Sequence, residues 1–226
     1  MNRSPSKIEA LQTLLQRGVS IGTILDVGVL TGTPELMEVF PTVKHVLFEP
    51  VVEFAAQIHE SYAAIPHELV SAAVSDRSGE TTLAVSTVIE GWDISHSSMV
   101  DEPPAAGERV VPMLTVDDWV RQNNPQGPYF LKIDIDGHEL RVLNGAQQTL
   151  QDTAIVMIEA PANLITERIK PLQDAGFELF DLVEPAYYDG MLWQCDAIFI
   201  SKAVKTQHFK NLKDGFEAEL WHVWRG

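Results

Sequence analysis

Residues 23–49 constrain the fold more than any other stretch of the chain. Ile24, Leu25 and Val27 make Thr23–Val27 an apolar strand with Asp26 near its end, and Gly28 follows it. Gly32, Thr33, Pro34 and Glu35 then open a short helix, and Val46–Glu49 is a second apolar run ending in an acid. Strand, glycine turn, helix and strand make a βαβ unit, which requires two parallel strands and a right-handed crossover. Thr33 suits the N-cap of that helix, and Pro34 suits its first turn, where a missing N–H costs nothing.

The turn also limits what can bind. A dinucleotide fingerprint G-x-G-x-x-G is absent, because Gly28, Leu30 and Thr33 stand at its three places. A pyrophosphate would meet Glu35 in the helix's first turn, where repulsion offsets the helix dipole. A cationic adenosine cofactor without phosphate, such as S-adenosylmethionine, fits better. Gly28 and Gly32 let the backbone approach such a ligand. Asp26 is expected to take the ammonium end. Glu49, 23 residues further on, is placed where an acid binds ribose hydroxyls. The plainer alternative is that Asp26 caps a turn and Glu49 is only a strand-end acid.

Composition excludes several classes. The 226 residues, 45% apolar, suit one domain (1–226) with an N-terminal helix (1–18) and an insertion or lid region (80–113). Thirty-two acids against 16 bases give a net charge of −16, which argues against nucleic-acid and anionic-membrane partners. A single cysteine, Cys195, forms no intramolecular disulfide and suits a reducing compartment. No run is long and apolar enough to span a bilayer, and the N-terminus lacks a signal-type apolar region, so a cytoplasmic protein is expected.

Periodicity fills in the rest. Ser6–Arg17 reads as a helix, Phe54–Ala64 as a crossover helix, and Glu68–Val74 as strand three. Thr81–Ser86 reads as an extra antiparallel strand. The 17 residues Gly91–Gly107, with Trp92, His96 and Pro103-Pro104, read as an irregular lid or surface loop. Arg109–Met113 is a strand, and Val116–Asn123 a helix capped by Thr115. Tyr129–Asp134 and Ala154–Glu159 are buried strands; His138–Leu150 and Leu164–Ala175 are helices. Phe177–Val183 and Gln194–Ile200 are too close for a crossover and must be antiparallel. Asn211–Leu220 reads as a last helix. Alternating strands and helices predict an α/β doubly wound sheet. Asp26, Glu49, Asp134 and Glu159 then close their strands on one rim, where such sheets bind ligands.

Several segments together resemble the FkbM-type S-adenosylmethionine-dependent methyltransferases. They are LDVG (25–28) with Gly32, FEP (48–50), AAVSD (72–76) with Gly79, SS (97–98), LTVDDW (114–119), LKIDIDGHE (131–139) with NGA (144–146), and IE (158–159). The resemblance covers residues 20–200. It implies a Rossmann-like class I methyltransferase with a seven-stranded, mostly parallel sheet of order 3-2-1-4-5-7-6. The last strand would be antiparallel, with helices on both faces and a small β insertion. It adds Val29, Pro50, Ala73 and Asp76 to the expected cofactor site. Leu30 departs from the methyltransferase glycine turn, and His138 replaces a small residue.

Methyl transfer needs an acceptor held in line with the methyl and relieved of its proton. Asp134 is the expected base or acceptor-orienting residue, Glu159 could share the task, and His138 is either a base or an ordinary helix-start residue. The carboxylates could also hold Mg²⁺, although no sequence feature requires a metal. The resemblance favours O-methylation of a sugar or natural-product hydroxyl, with a small-molecule acceptor and a homodimer left open. Two other readings stand beside it: a nucleotide-sugar or NAD-dependent oxidoreductase, and a non-catalytic cofactor-binding member.

Overall fold

The computed structural model describes residues 3–86, 96–100, 108–221 and 223–224. In chain order the elements are α1 (Lys7–Gln16), β1 (Thr23–Val27), α2 (Pro34–Val39), β2 (Lys44–Phe48), α3 (Ala55–Ser61), β3 (His67–Val70), β4 (Ala73–Val74), β5 (Gly79–Ser86) and β6 (His96–Val100). They continue with β7 (Arg109–Leu114), α4 (Val116–Asn123), β8 (Tyr129–Ile133), α5 (Glu139–Asn144), β9 (Thr153–Pro161), α6 (Ile165–Asp174), β10 (Phe177–Tyr188), β11 (Met191–Ser201) and α7 (Lys202–His208).

Seven strands form the main sheet, in the order β10-β11-β9-β8-β1-β2-β3. Counted among themselves along the chain and read from the β3 edge, they lie 3-2-1-4-5-7-6. All neighbours are parallel except β11, which runs against both β9 and β10. The chain winds outward in both directions from β1 and β8, so the carboxyl ends of these two strands flank the switch point where such sheets open a crevice.

Each face of the sheet is covered by helices. Ile24, Phe130, Ile155 and Ile198 pack on one side with Leu11 and Leu14 of α1 and Leu36 of α2. Leu25, Leu131, Val156 and Phe199 pack on the other with Trp119 of α4, Val142 of α5 and Leu172 of α6. β1 and β8 are buried along their whole length, which is why both read as apolar runs rather than alternating ones. Ser6 caps α1 by accepting the Glu9 N–H, and Thr115 caps α4 by accepting the Asp118 N–H.

Four local expectations need correction. The expected third strand splits. β3 stays in the main sheet, while β4 joins a separate small sheet of order β4-β7-β5-β6. The helix expected to run to Leu150 ends at Asn144. Gly145 there lies so close to the loop after β4 that a Cβ would come within 2.1 Å of the Ser75 carbonyl oxygen. The stretch Glu184–Trp193, read as a connection, is a long hairpin: β10 and β11 turn over Asp189 and Gly190, both at positive φ, as a two-residue hairpin loop demands. The last α-helix is Lys202–His208, capped by Ser201, and Asn211–Leu220 holds only short 3₁₀ turns. The expected lid, Gly91–Gly107, lies outside the described residues apart from β6, which pairs with β5. Among the described residues no helix is long and apolar enough to cross a membrane.

Candidate active site

A cleft with about 970 Å³ of empty space, counted with its open mouth, lies at the carboxyl rim of the main sheet. Gly28 and Leu30 of the first turn, Glu49 and Pro50 after β2, and Asp134, Asp136 and His138 after β8 line it, together with Glu159 near the end of β9. The small sheet closes one wall with Ala73, Val74, Leu83, Ser98 and Met99. The result is an apolar wall facing a polar rim.

The expected site residues divide here. Gly28, Glu49, Pro50, Ala73, Asp134, His138 and Glu159 all reach the cleft. Val29 is instead buried in a core cluster with Leu47 and Phe54. Gly32, at φ 148°, shapes the turn behind the wall. Asp76 is exposed and faces Arg77, past the end of β4.

Asp26 departs furthest from expectation. Its carboxyl is 0% exposed and does not line the cleft. Thr33 donates its hydroxyl to Asp26 Oδ2 at 2.7 Å, so Thr33 serves Asp26 rather than capping α2. The other oxygen faces the Lys132 ammonium at 3.4 Å. The place assigned to a cofactor ammonium is thus filled by one from the protein itself. Register explains the meeting, because Asp26 and Lys132 are directly paired on β1 and β8 and point the same way.

Lys132 is a site residue that the sequence motifs do not mark. It is 3% exposed, donates to the Gly28 carbonyl oxygen at 2.7 Å, and lies 3.3 Å from Asp134. Burial opposes its charge, but Asp26 and then Asp134 and Glu35 hold its pKa above the ordinary lysine range. Burial pushes Asp26 the other way, against the pull of Lys132 and the Thr33 hydroxyl. Burial is the larger influence, so the net direction for Asp26 is upward. The one available signal was a lysine inside the otherwise apolar run Tyr-Phe-Leu-Lys-Ile (129–133).

Glu49 is 5% exposed and grips two loops at once. The Leu30 N–H donates to its Oε2 and the Val51 N–H to its Oε1, each at 2.8 Å. Burial raises its pKa, partly offset by these two bonds. A carboxylate accepts about four hydrogen bonds, so capacity remains toward the cleft. Leu30 is held at φ 54°, a conformation that favours glycine, and its bond to Glu49 fixes it there.

Glu159 has a strongly perturbed titration at the rim. Its pKa is pushed up to about 7, first by burial and then by the charges of Asp134, Glu139, Asp196 and Asp136. Gln194 of β11 donates to its Oε1 at 2.8 Å and fixes its orientation. Asp196 beside it rises to about 6 through burial, against the pull of Lys7 at 3.0 Å. His138 brings Nε2 within 3.0 Å of the Met99 carbonyl, so that nitrogen ties β6 to the cleft as a donor. Among the described residues no cluster of three or more His, Cys, Asp or Glu side chains is arranged to hold a metal ion.

The sequence matches the methyltransferase FkbM domain over residues 26–180. In structure, the chain is similar to a methyltransferase FkbM from Methylobacillus flagellatus KT, with a TM-score of 0.51 and 14% identity. That match covers 85% of this chain and 58% of the other, so the chain spans a little over half the length of that protein. It is also similar to the 23S rRNA methyltransferase ErmE, with a TM-score of 0.47 and 12% identity over 86% of this chain and 68% of that one. No curated protein matches the sequence.

Proposed function

Because the chain belongs to the FkbM methyltransferase family, whose members depend on S-adenosylmethionine, we propose that it transfers a methyl group to a hydroxyl of a small molecule, a sugar or natural product. The observation that carries this reading is one cleft bearing both halves of the chemistry: Glu49 at one end, and Asp134 with Glu159 at the other. The residues present fit the cofactor. Glu49 offers a fixed carboxylate to two ribose hydroxyls, Gly28 and Leu30 line the cleft beside the methionine portion, and Pro50, Ala73, Val74 and Leu83 supply an apolar wall for the base. When bound, S-adenosylmethionine supplies a methyl already activated by its sulfonium.

The chain's own residues then prepare the acceptor. A hydroxyl must lose its proton as it is methylated, and a carboxylate titrating at about 7 is matched to that task near neutral pH. Glu159 is the base in this reading. Asp134, paired with Lys132, orients the acceptor and strengthens the field that keeps the Glu159 proton affinity high. Beyond Glu159, the hairpin carries exposed Tyr187, Leu192 and Trp193 past the rim, a surface suited to the ring of an acceptor. The acidic rim and the net charge of −16 favour a neutral or cationic acceptor over a nucleic acid.

The test is incubation of the full chain with S-adenosylmethionine and a panel of hydroxylated acceptors, followed by mass spectrometry. The proposal expects S-adenosylhomocysteine and an acceptor heavier by one methylene. Methylation confined to amines, or to RNA, would overturn the acceptor class. Absence of S-adenosylhomocysteine binding would overturn the cofactor site.

A further inference from the structure

Lys132 is a buried group at this site that the chemistry above does not itself use. Its ammonium has three protons and meets oxygens from three separate segments: Asp26 on β1, the Gly28 carbonyl in the turn, and Asp134 beyond β8. A lysine kept only to neutralise Asp26 would lie nearest that carboxylate. Here the shortest contact, 2.7 Å, is to the Gly28 carbonyl, and Asp134 at 3.3 Å is as near as Asp26 at 3.4 Å.

The turn has little other freedom at this point. Gly28 sits at φ 84°, and a Cβ built on it would come within 1.8 Å of the Asp134 carbonyl oxygen. The floor of the cofactor turn therefore rests on the backbone of the residue that carries the acceptor-side carboxylate. Lys132 fastens the two together, holding the turn by its carbonyl and Asp134 by its side chain. Lys132 is 3% exposed and absent from the cleft wall, so it lies beneath the site rather than on its surface.

On the methyltransferase reading above, we infer that Lys132 is a positioning residue that couples the shape of the cofactor turn to the placement of Asp134. Asp26 is then its counter-ion and anchor rather than a cofactor ligand. Loss of the ammonium does two separable things. It strands a buried carboxylate, which harms the fold. It also releases the Gly28 carbonyl and Asp134, which harms the site.

The experiment separates them by calorimetric titration with S-adenosylhomocysteine, run beside thermal unfolding, on the full chain and three variants. Lys132→Met is expected to lose both stability and affinity. Asp26→Asn keeps the Thr33 contact and leaves Lys132 on Gly28 and Asp134, so its affinity is expected within about threefold of the parent. The double variant Asp26→Asn/Lys132→Met removes both charges; it is expected to recover most of the lost stability yet bind at least about tenfold more weakly than the parent. Parent-like affinity in the double variant would reduce Lys132 to a counter-ion and overturn the inference. Equal losses in Asp26→Asn alone would do the same, and that variant decides the matter even if neither Lys132→Met chain folds. A parent protein that does not bind S-adenosylhomocysteine at all would overturn the cofactor site itself, a result distinct from either.

Discussion

Replacing Glu49 by Gln should weaken S-adenosylhomocysteine binding about thirtyfold. The substitution keeps size and shape but removes the charge and one acceptor. Both carboxylate oxygens already accept backbone N–H groups, from Leu30 and Val51 at 2.8 Å. Whichever way the amide turns, its NH₂ must face one of those donors. The stranded N–H costs about 1–3 kcal/mol of stability. Binding suffers separately. Hydrogen bonds to a carboxylate are roughly twice as strong as those to a neutral acceptor, so two ribose hydroxyls lose about 1 kcal/mol each. A total of about 2 kcal/mol corresponds to roughly a thirtyfold rise in Kd. Isothermal titration of the parent and the variant measures this, with urea unfolding run in parallel to measure the stability loss. A variant that is less stable but binds within about twofold of the parent would refute the reasoning. Glu49 would then be only a staple for the turn.

Glu159 gives a pH-dependent prediction. Its folded pKa of about 7 lies above an ordinary value of 4.5, so its contribution to stability is full below that lower value and is lost as pH rises to the higher one. The melting temperature of the parent should therefore fall between about pH 5 and about pH 8 more steeply than that of Glu159→Gln; parallel curves would rule out the shift. With an acceptor in hand, methyl transfer should rise through about pH 7 in the parent, and Glu159→Gln should lose that limb. Gly28→Ala should cost more than about 3 kcal/mol in urea unfolding, because φ is positive and the new methyl has no room; a loss under about 1 kcal/mol would contradict the close approach to Asp134. Trp193→Ala, 62% exposed on the hairpin, should leave stability within about 0.5 kcal/mol and S-adenosylhomocysteine affinity unchanged while raising KM for the acceptor. A changed cofactor affinity would place Trp193 at the wrong end of the cleft.

What could be read from the sequence follows from how local its causes are. The βαβ unit, the α4 cap and the antiparallel final pair depend on neighbours along the chain, and each appears in the structure. The placement of Glu49, Asp134 and Glu159 on one rim is legible because a strand-end acid in a doubly wound sheet has one place to go. The surroundings of Asp26 are hidden from the sequence for a reason of register. That residue lies one residue before the strand end, paired with Lys132 on β8, more than 100 residues later in the chain. Nothing near Asp26 in sequence announces that partner. Lys132 itself reads as a single charge in an apolar run, and only the three converging oxygens give it meaning. The split of the third strand depends on β7 being available to pair with Ala73 and Val74, which is again a distant fact. The hairpin was hidden because its tip is exposed and amphipathic, so the hydrophobic pattern that marks buried strands fades after Val183.

The most direct test of the central claim is a crystal structure of the full chain with S-adenosylhomocysteine. The account predicts the ribose hydroxyls on the Glu49 carboxylate, the sulfur turned toward Asp134 and Glu159, and Lys132 still beneath the turn without contact to the ligand. A nucleoside bound away from Glu49, or an amino group of the ligand lying on Asp26 with Lys132 displaced, would contradict it.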